Sequence, residues 1–313
     1  MTSFGENRDL GLAFVGFGEA ASHIASGLRG AGVDGMSAYD VAIAGGPRRP
    51  LLEARAAAAG VRLLASPAGL AEARHVLALV QPLASVEAAR MAAPHLATGA
   101  LYVDLSSAAP QAKREGAAIV EAVGARFVDG AIIGSAPSSG HRVPILASGD
   151  GAEAFGARFR AHGMDITPVT GGIGAAAGIK LVRSILAKGL EALYVEALLV
   201  AERAGVTDAV LDTFCAFLDA RPARDTAAML LKSHVVHAAR RADEVRMSRD
   251  LARSAGLSPL MTDAIIAVME RTAATGVASA LDGRQPPTLE AALHGLDAAL
   301  NPPPDRTPET RAP

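Results

Sequence analysis

The sequence predicts an α/β domain with a mostly parallel, doubly wound sheet, followed by a long interdomain helix and an all-α domain. Three observations support this prediction. Short apolar runs alternate with helical patterns from residue 10 to about residue 170. A stretch without proline, residues 173–204, then has the composition of one unbroken helix. Only helical patterns, separated by glycine and proline, follow between residues 207 and 300.

Composition limits the classes of protein that remain. The 313 residues fit two domains of ordinary size, and 30 basic against 32 acidic residues give a net charge of -2. This balance argues against nucleic acid or an anionic membrane as the main partner. The single cysteine, Cys215, excludes an internal disulfide framework, and its apolar neighbours predict a position in the core. Without a signal-peptide pattern or a charge-free run of 18 apolar residues, we expect a cytoplasmic protein.

The first strand, residues 12–15, runs into a glycine-rich loop and then a helical pattern that continues to residue 28. The loop reads G-x-G-x-x-A, which is the phosphate-binding turn of a Rossmann-type domain. The first glycine permits the tight turn, the second lets a pyrophosphate approach the backbone, and the helix supplies amide donors. We therefore predict that a nicotinamide dinucleotide is bound by Gly16, Phe17, Gly18, Glu19 and Ala20.

The second strand, residues 36–40, ends in an acid that bears on cofactor choice. Asp40 lies 24 residues beyond Gly16, where a carboxylate bonds the ribose hydroxyls of NAD. The alternative is that Asp40 only caps the following turn. Arg48 and Arg49 could instead accept the 2′-phosphate of NADP. We favour NAD on the position of Asp40, with NADP left open.

Further strands are predicted at residues 61–64, 75–80, 101–104, 125–129, 143–148 and 166–169, with a helix at 51–59 and others between them. Because ligands bind at the carboxyl ends of such strands, we predict that Val80, Gln81 and Pro82 border the cofactor. Ser106 and Ser107, after the strand at 101–104, either hold a substrate carboxylate or cap the next helix.

Residues 130–140 form a loop rich in small side chains. Such a loop, with Gly134 and Ser135 at its centre, either brings backbone amides close to an anionic ligand or is an ordinary connection.

The long helix has few polar residues, and these stand in steps of four, four and three. Lys180, Ser184, Lys188 and Glu191 therefore share one stripe of a helix that we expect to be a buried spine. Lys180 either faces a cleft as a catalytic ammonium, or it extends to solvent or pairs with an acid. Helices are predicted beyond it at 207–218, 226–240, 242–255, 259–275 and 289–300. Helices wrapped around such a spine leave apolar surface, so we expect a homodimer.

Four segments, in order over about residues 10–205, resemble the β-hydroxyacid dehydrogenase family, the group of 3-hydroxyisobutyrate and phosphogluconate dehydrogenases. GFGEAASHIASGL resembles the family's cofactor loop, and VDLSSAAP its substrate-binding DxST segment. FVDGAIIGSAPSSGHRVPILASGD resembles the DAPVSGG loop, and GIGAAAGIKLVRS the GxGxxxKxxxN helix that carries the catalytic lysine. The second half resembles a branch with a helical domain and an unknown substrate. The predicted division is a dinucleotide-binding domain at 1–172, a helical domain at 173–300 and a disordered tail at 301–313.

The chain departs from the family pattern at three places. Ser184 replaces the asparagine four residues after the lysine, and Ile133 and Ser135 replace a serine and the second glycine of the DAPVSGG loop. The later KD pair falls near Asp243 and Glu244, so a second basic contact is missing. The resemblance therefore implies the reaction type more strongly than it implies the substrate.

The implied reaction is hydride transfer between nicotinamide and a small β-hydroxyacid, or a related semialdehyde or keto acid. The resemblance assigns Lys180 as the general acid and base, Ser184 as its support, and Ser106, Ser107, Gly134 and Ser135 to the substrate. No metal is implied. Two alternatives stay open at this point: an imine reductase of similar architecture, and a non-catalytic dinucleotide-binding protein.

Overall fold

The computed structural model describes residues 9–302, and the described chain divides into two compact units between Leu186 and Ala187. This junction lies inside the long helix α7 (Ala175–Ala204). We predicted the division between residues 172 and 173, at the start of that helix. The predicted disordered tail lies outside the described residues from position 303 onward.

The first unit contains an eight-stranded sheet in the order β3-β2-β1-β4-β5-β6-β7-β8. All neighbouring strands are parallel except β6 and β7, which are antiparallel. This confirms the α/β, Rossmann-type prediction. The strands are β1 (Leu12–Val15), β2 (Ser37–Tyr39), β3 (Arg62–Leu63), β4 (His75–Ala78), β5 (Leu101–Asp104), β6 (Arg126–Ile132), β7 (Ile145–Ser148) and β8 (Ile166–Pro168).

The central strands are buried on both faces, which explains their continuous apolar sequences. On β1, Leu12 and Phe14 pack into one hydrophobic cluster, while Ala13 and Val15 pack into a second on the opposite face. The helices of this unit are α1 (Glu19–Gly30), α2 (Arg49–Ala59), α3 (Ser85–Ala92), α4 (Pro110–Glu121), α5 (Ala136–Ser139) and α6 (Ala152–Arg160). Short 3₁₀ turns occupy several of the connections between these elements.

The second unit is helical. After α7 come α8 (Thr207–Asp219), α9 (Ala223–Ser254), α10 (Leu260–Ala274), α11 (Val277–Ala280) and α12 (Leu289–Leu300). Its small core contains Val235, Val277, Ala292 and Leu296. Glu196 caps the start of α10: its carboxylate accepts the Met261 and Thr262 amides, each at 2.8 Å. The all-α prediction for this half is confirmed.

Three predictions about the helical half are wrong. The two helices predicted at 226–240 and 242–255 are one helix, α9 (Ala223–Ser254), because the junction between them contains neither glycine nor proline. Cys215 is exposed, not part of the core. The spine helix is not buried along its length either: Val182, Ile185 and Leu186 are 62%, 72% and 73% exposed.

Candidate cofactor and catalytic site

The turn between β1 and α1 is shaped by two glycines with different surroundings. Gly16 has φ +78°, and a Cβ there would lie 2.6 Å from the carbonyl oxygen of Leu79 and 2.7 Å from Cγ1 of Val80. Only glycine therefore fits position 16. A Cβ at Gly18 would meet nothing within 4 Å. The loop is thus packed against the end of β4 on one side and faces open space on the other.

That open space belongs to a cavity of about 650 Å³ along the carboxyl edge of the sheet. Residues that follow β1, β2, β4 and β5 line it, as expected for a ligand site in an open α/β sheet. The lining includes eight residues that the sequence assigned to cofactor or substrate: Gly16, Gly18, Ala20, Asp40, Val80, Gln81, Ser106 and Ser107.

Asp40 has two roles in this cavity. Its Oδ2 accepts the backbone N–H of Phe17 at 2.8 Å, and its Oδ1 accepts that of Ala42 at 2.9 Å. The carboxylate thus joins the glycine-rich loop to the turn after β2 while lining the cavity. Arg48 also lines the cavity, whereas Arg49 is paired with Glu53 at 2.8 Å.

Several predicted residues lie outside the cavity lining. The side chain of Phe17 is buried in the core, and Glu19 is exposed at the first position of α1. Pro82 begins a 3₁₀ turn (Pro82–Ala84). Gly134 and Ser135 are exposed after β6, where the hydroxyl of Ser135 accepts that of Ser138 at 3.2 Å.

Lys180 and Ser107 are brought together across 73 positions of sequence. Nζ of Lys180 donates a hydrogen bond to Oγ of Ser107 at 2.6 Å, and Ser107 lines the cavity. Burial of the half-exposed Lys180 side chain, followed by the nearby charge of Lys113, lowers the pKa of its ammonium. An amine with a lowered pKa is suited to exchange protons nearer neutral pH. Ser184, one turn further along α7, is exposed.

Ser106 is buried directly beside Ser107. Its Oγ accepts the backbone N–H of Val80 at 3.1 Å, and its own N–H donates to Oδ1 of Asp104 at 2.8 Å. The sequence reasoning missed the charged cluster below this turn, which contains Lys113, Asp104 and Asp129. The sequence contained one indication of this cluster, because Asp104 and Asp129 each end an apolar run. The structure pairs these two residues directly across β5 and β6.

Two general properties of residues 9–302 bear on function. In that part of the chain, no group of three or more histidine, cysteine, aspartate or glutamate side chains could hold a metal ion. None of its helices is long and apolar enough to cross a membrane.

The sheet order, the glycine-rich turn and the cavity at the carboxyl edge together define a dinucleotide-binding domain. The residues fit such a ligand, since Gly18 leaves room for a pyrophosphate in front of the α1 N-terminus. Residues 12–171, half of the chain, match the model of the NAD-binding domain of 6-phosphogluconate dehydrogenase, and the chain belongs to this family of NAD(P)-binding dehydrogenases and reductases. Residues 201–272 match a domain of unknown function (DUF1932).

Solved structures are similar to most of the chain. A conserved hypothetical protein from Sinorhizobium meliloti 1021 is 35% identical, with 92% of this chain and 95% of that chain covered and a TM-score of 0.58. The conserved protein MTH1747, described as structurally similar to 3-hydroxyacid dehydrogenases, is 31% identical. The match covers 87% of this chain and 98% of MTH1747, with a TM-score of 0.58. No protein with a curated description matches the sequence.

An imine reductase from Myxococcus stipitatus in complex with NADP⁺ shares the fold at 17% identity. The match covers 85% of this chain and 95% of the reductase chain, with a TM-score of 0.64. At this identity the likeness concerns the fold alone.

Proposed function

We propose that the protein is an NAD-dependent oxidoreductase that acts on a small β-hydroxyacid or the related semialdehyde or keto acid, with Lys180 as the general acid and base. The observation that carries the proposal is the 2.6 Å hydrogen bond between Nζ of Lys180 and Oγ of Ser107. It places a titratable amine of lowered pKa beside a hydroxyl that lines the cofactor cavity.

The bound nicotinamide would accept a hydride on oxidation and supply one on reduction. The residues of this chain manage the proton and the orientation of the substrate. The neutral amine of Lys180 takes the proton of the substrate hydroxyl on oxidation, and its ammonium returns a proton to the carbonyl oxygen on reduction. Ser107 holds Nζ in place and, with Ser106, offers hydroxyls to the substrate carboxylate. Gly134 and Ser135, exposed after β6, would offer further donors to a bound substrate, and Ser184, also exposed, would support Lys180 from the next turn.

For the cofactor we propose NAD rather than NADP. The cavity contains two carboxylates, Asp40 and Glu87, and one guanidinium, Arg48. A 2′-phosphate carries nearly two negative charges and would meet the carboxylate of Asp40, whereas two ribose hydroxyls would donate to it. Arg49, the other candidate for a phosphate, is already paired with Glu53.

The test is a screen for change in nicotinamide absorbance with both cofactors. Its substrates are hydroxyacids and semialdehydes of about two to four carbons, together with cyclic imines as a separate class. The proposal expects turnover of a hydroxyacid that is lost in Lys180→Met. Turnover of imines alone would refute the hydroxyacid proposal and identify the protein as an imine reductase. Tight NADH binding without turnover in either class would favour a non-catalytic, cofactor-sensing protein.

We also propose that the working form is a homodimer, because α7 presents an apolar surface that a second copy would cover. The exposed side chains include Val182, Ile185 and Leu186, and such contiguous apolar surface is typical of protein interfaces. Sedimentation equilibrium at micromolar concentration is expected to give twice the chain mass of 31.7 kDa. Ile185→Glu would then reduce it to the mass of one chain, and a wild-type monomer would refute the proposal.

A further inference from the structure

Lys113, on α4, is a fully buried lysine in the first unit. Its Nζ donates to the backbone carbonyl oxygen of Asp104 at 2.6 Å and lies 3.4 Å from that of Gly130. It also lies 3.3 Å from Oδ2 of Asp104 and 3.7 Å from Oδ1 of Asp129. Burying an ammonium is costly unless it is paired, and replacing such pairs by apolar residues is often neutral or stabilising. A gain in stability alone is therefore a weak explanation for Lys113.

The first carboxylate of this cluster holds the turn that carries Ser107. Oδ1 of Asp104 accepts the backbone N–H of Ser106 at 2.8 Å, and its Oδ2 accepts the hydroxyl of Ser85 at 2.5 Å. Lys113 therefore contacts both the backbone and the carboxylate of Asp104, the residue that ends β5 immediately before Leu105, Ser106 and Ser107.

The second carboxylate holds the start of α7. Oδ2 of Asp129 accepts the backbone N–H groups of Gly174 at 3.1 Å and Ala177 at 3.0 Å. The hydroxyl of Ser148 donates to the same oxygen and accepts the N–H of Ala176. A carboxylate at a helix N-terminus is favourably placed, because it satisfies amides that have no partner within the helix. Lys180 follows Ala177 by three residues, less than one turn.

One lysine thus lies between the two segments that provide the proposed Lys180–Ser107 contact. We propose that Lys113 is a positioning residue for Lys180, acting through Asp104 and Asp129 to hold the start of α7 against the turn that carries Ser107. The inference rests on the proposed role of Lys180. It adds a consequence for Lys180 itself, because the charge of Lys113 lowers the pKa of that ammonium after the larger effect of burial.

The test uses the reactivity of Lys180, so it requires no substrate. The chain has four lysines, Lys113, Lys180, Lys188 and Lys232, so every acetylated amine can be assigned by mass spectrometry after digestion. Trace acetylation at pH 8 gives the rate for Lys180 relative to Lys188, which is exposed on the same helix. In Lys113→Met this ratio should fall by about threefold or more, since a higher pKa leaves less neutral amine.

The matched control is Lys232→Met, which removes a lysine of the helical unit whose Nζ donates to the carbonyl of Pro287. Its ratio should equal that of the wild type. An unchanged ratio in folded Lys113→Met, with only a lower melting temperature, would overturn the inference and leave a purely structural lysine. An equal fall in both variants would overturn it as well.

Two further measurements apply if Lys113→Met does not fold. Lys113→Gln removes the charge but keeps an amide that can donate to the carbonyl oxygens of Asp104 and Gly130, so the same fall in the ratio is expected. In the wild type, the amides of Gly174 and Ala177 should exchange slowly with solvent, and fast exchange would contradict a cluster that holds α7. Turnover by Lys180→Met separately decides the proposed function, so the two can fail independently.

Discussion

Replacing Gly16 by alanine tests the shape of the glycine-rich turn. The new Cβ would lie 2.6 Å from the carbonyl oxygen of Leu79, and this backbone is fixed because its N–H donates to the carbonyl of Val15 at 2.8 Å. Strain at φ +78° costs about 1–3 kcal/mol, and overpacking costs about 1–3 kcal/mol more. The sum is about 2–6 kcal/mol, which lowers the melting temperature of a domain of this size by roughly 5–20 °C.

The matched control is Gly18→Ala, because a Cβ at Gly18 meets no protein atom within 4 Å. This variant should melt like the wild type but bind NADH about tenfold more weakly, since the methyl group occupies space meant for the pyrophosphate. Thermal unfolding and NADH fluorescence titration of both variants give the four values needed. Equal melting temperatures for Gly16→Ala and the wild type would refute the packing argument, and unchanged NADH affinity in Gly18→Ala would refute the placement of the cofactor.

Three further predictions concern charge. Asp40→Asn should weaken NADH binding by about tenfold, because it removes charge-assisted hydrogen bonds. It should also narrow the preference for NADH over NADPH, and titration with both cofactors measures both effects. For Glu196, burial raises the pKa but hydrogen bonds from Thr262 and the α10 amides outweigh it, so the net pKa is lowered. Its stabilisation is therefore present above the ordinary glutamate pKa and lost as pH falls through the lower folded value, and Glu196→Gln should flatten the acid limb of unfolding curves followed by circular dichroism. Since the pKa of Lys180 is lowered, the oxidation rate should rise with pH through a value below that of a free lysine, and a pH profile of hydroxyacid oxidation checks this.

The elements whose limits the sequence predicted best are bounded at both ends by residues that start or stop a strand or helix. Strand β1 and helix α12 have the predicted limits, and Thr288 caps α12 by accepting the N–H of Ala291 at 3.1 Å. The small residues after Asp129 suggested a loop, yet β6 continues to Ile132 because β7 pairs with it in the antiparallel direction. That pairing depends on a distant strand, so no local pattern could predict it.

Burial of α7 was predicted wrongly for a related reason. The apolar composition of Ile185 and Leu186 indicates a surface that needs covering, but it does not say which element covers it. Among the site residues, the glycine-rich turn was predictable because its function follows from neighbouring residues. The Lys113 cluster was not, since its contacts join residues as far apart in sequence as Asp129 and Ala177.

The central claim is that Lys180 carries the proton transfer beside the cofactor cavity. The most direct measurement compares the single-turnover rate of hydride transfer in the wild type, Lys180→Met and Lys180→Arg on a hydroxyacid found by the screen. General acid and base catalysis contributes about 10²–10⁴-fold, so both variants should be slower by at least about 10²-fold. Arginine should fail because a guanidinium does not release its proton near neutral pH. The affinity for NADH should stay within about twofold in both variants, because the lysine acts on the substrate oxygen. Hydride transfer by Lys180→Met at nearly the wild-type rate would contradict the account.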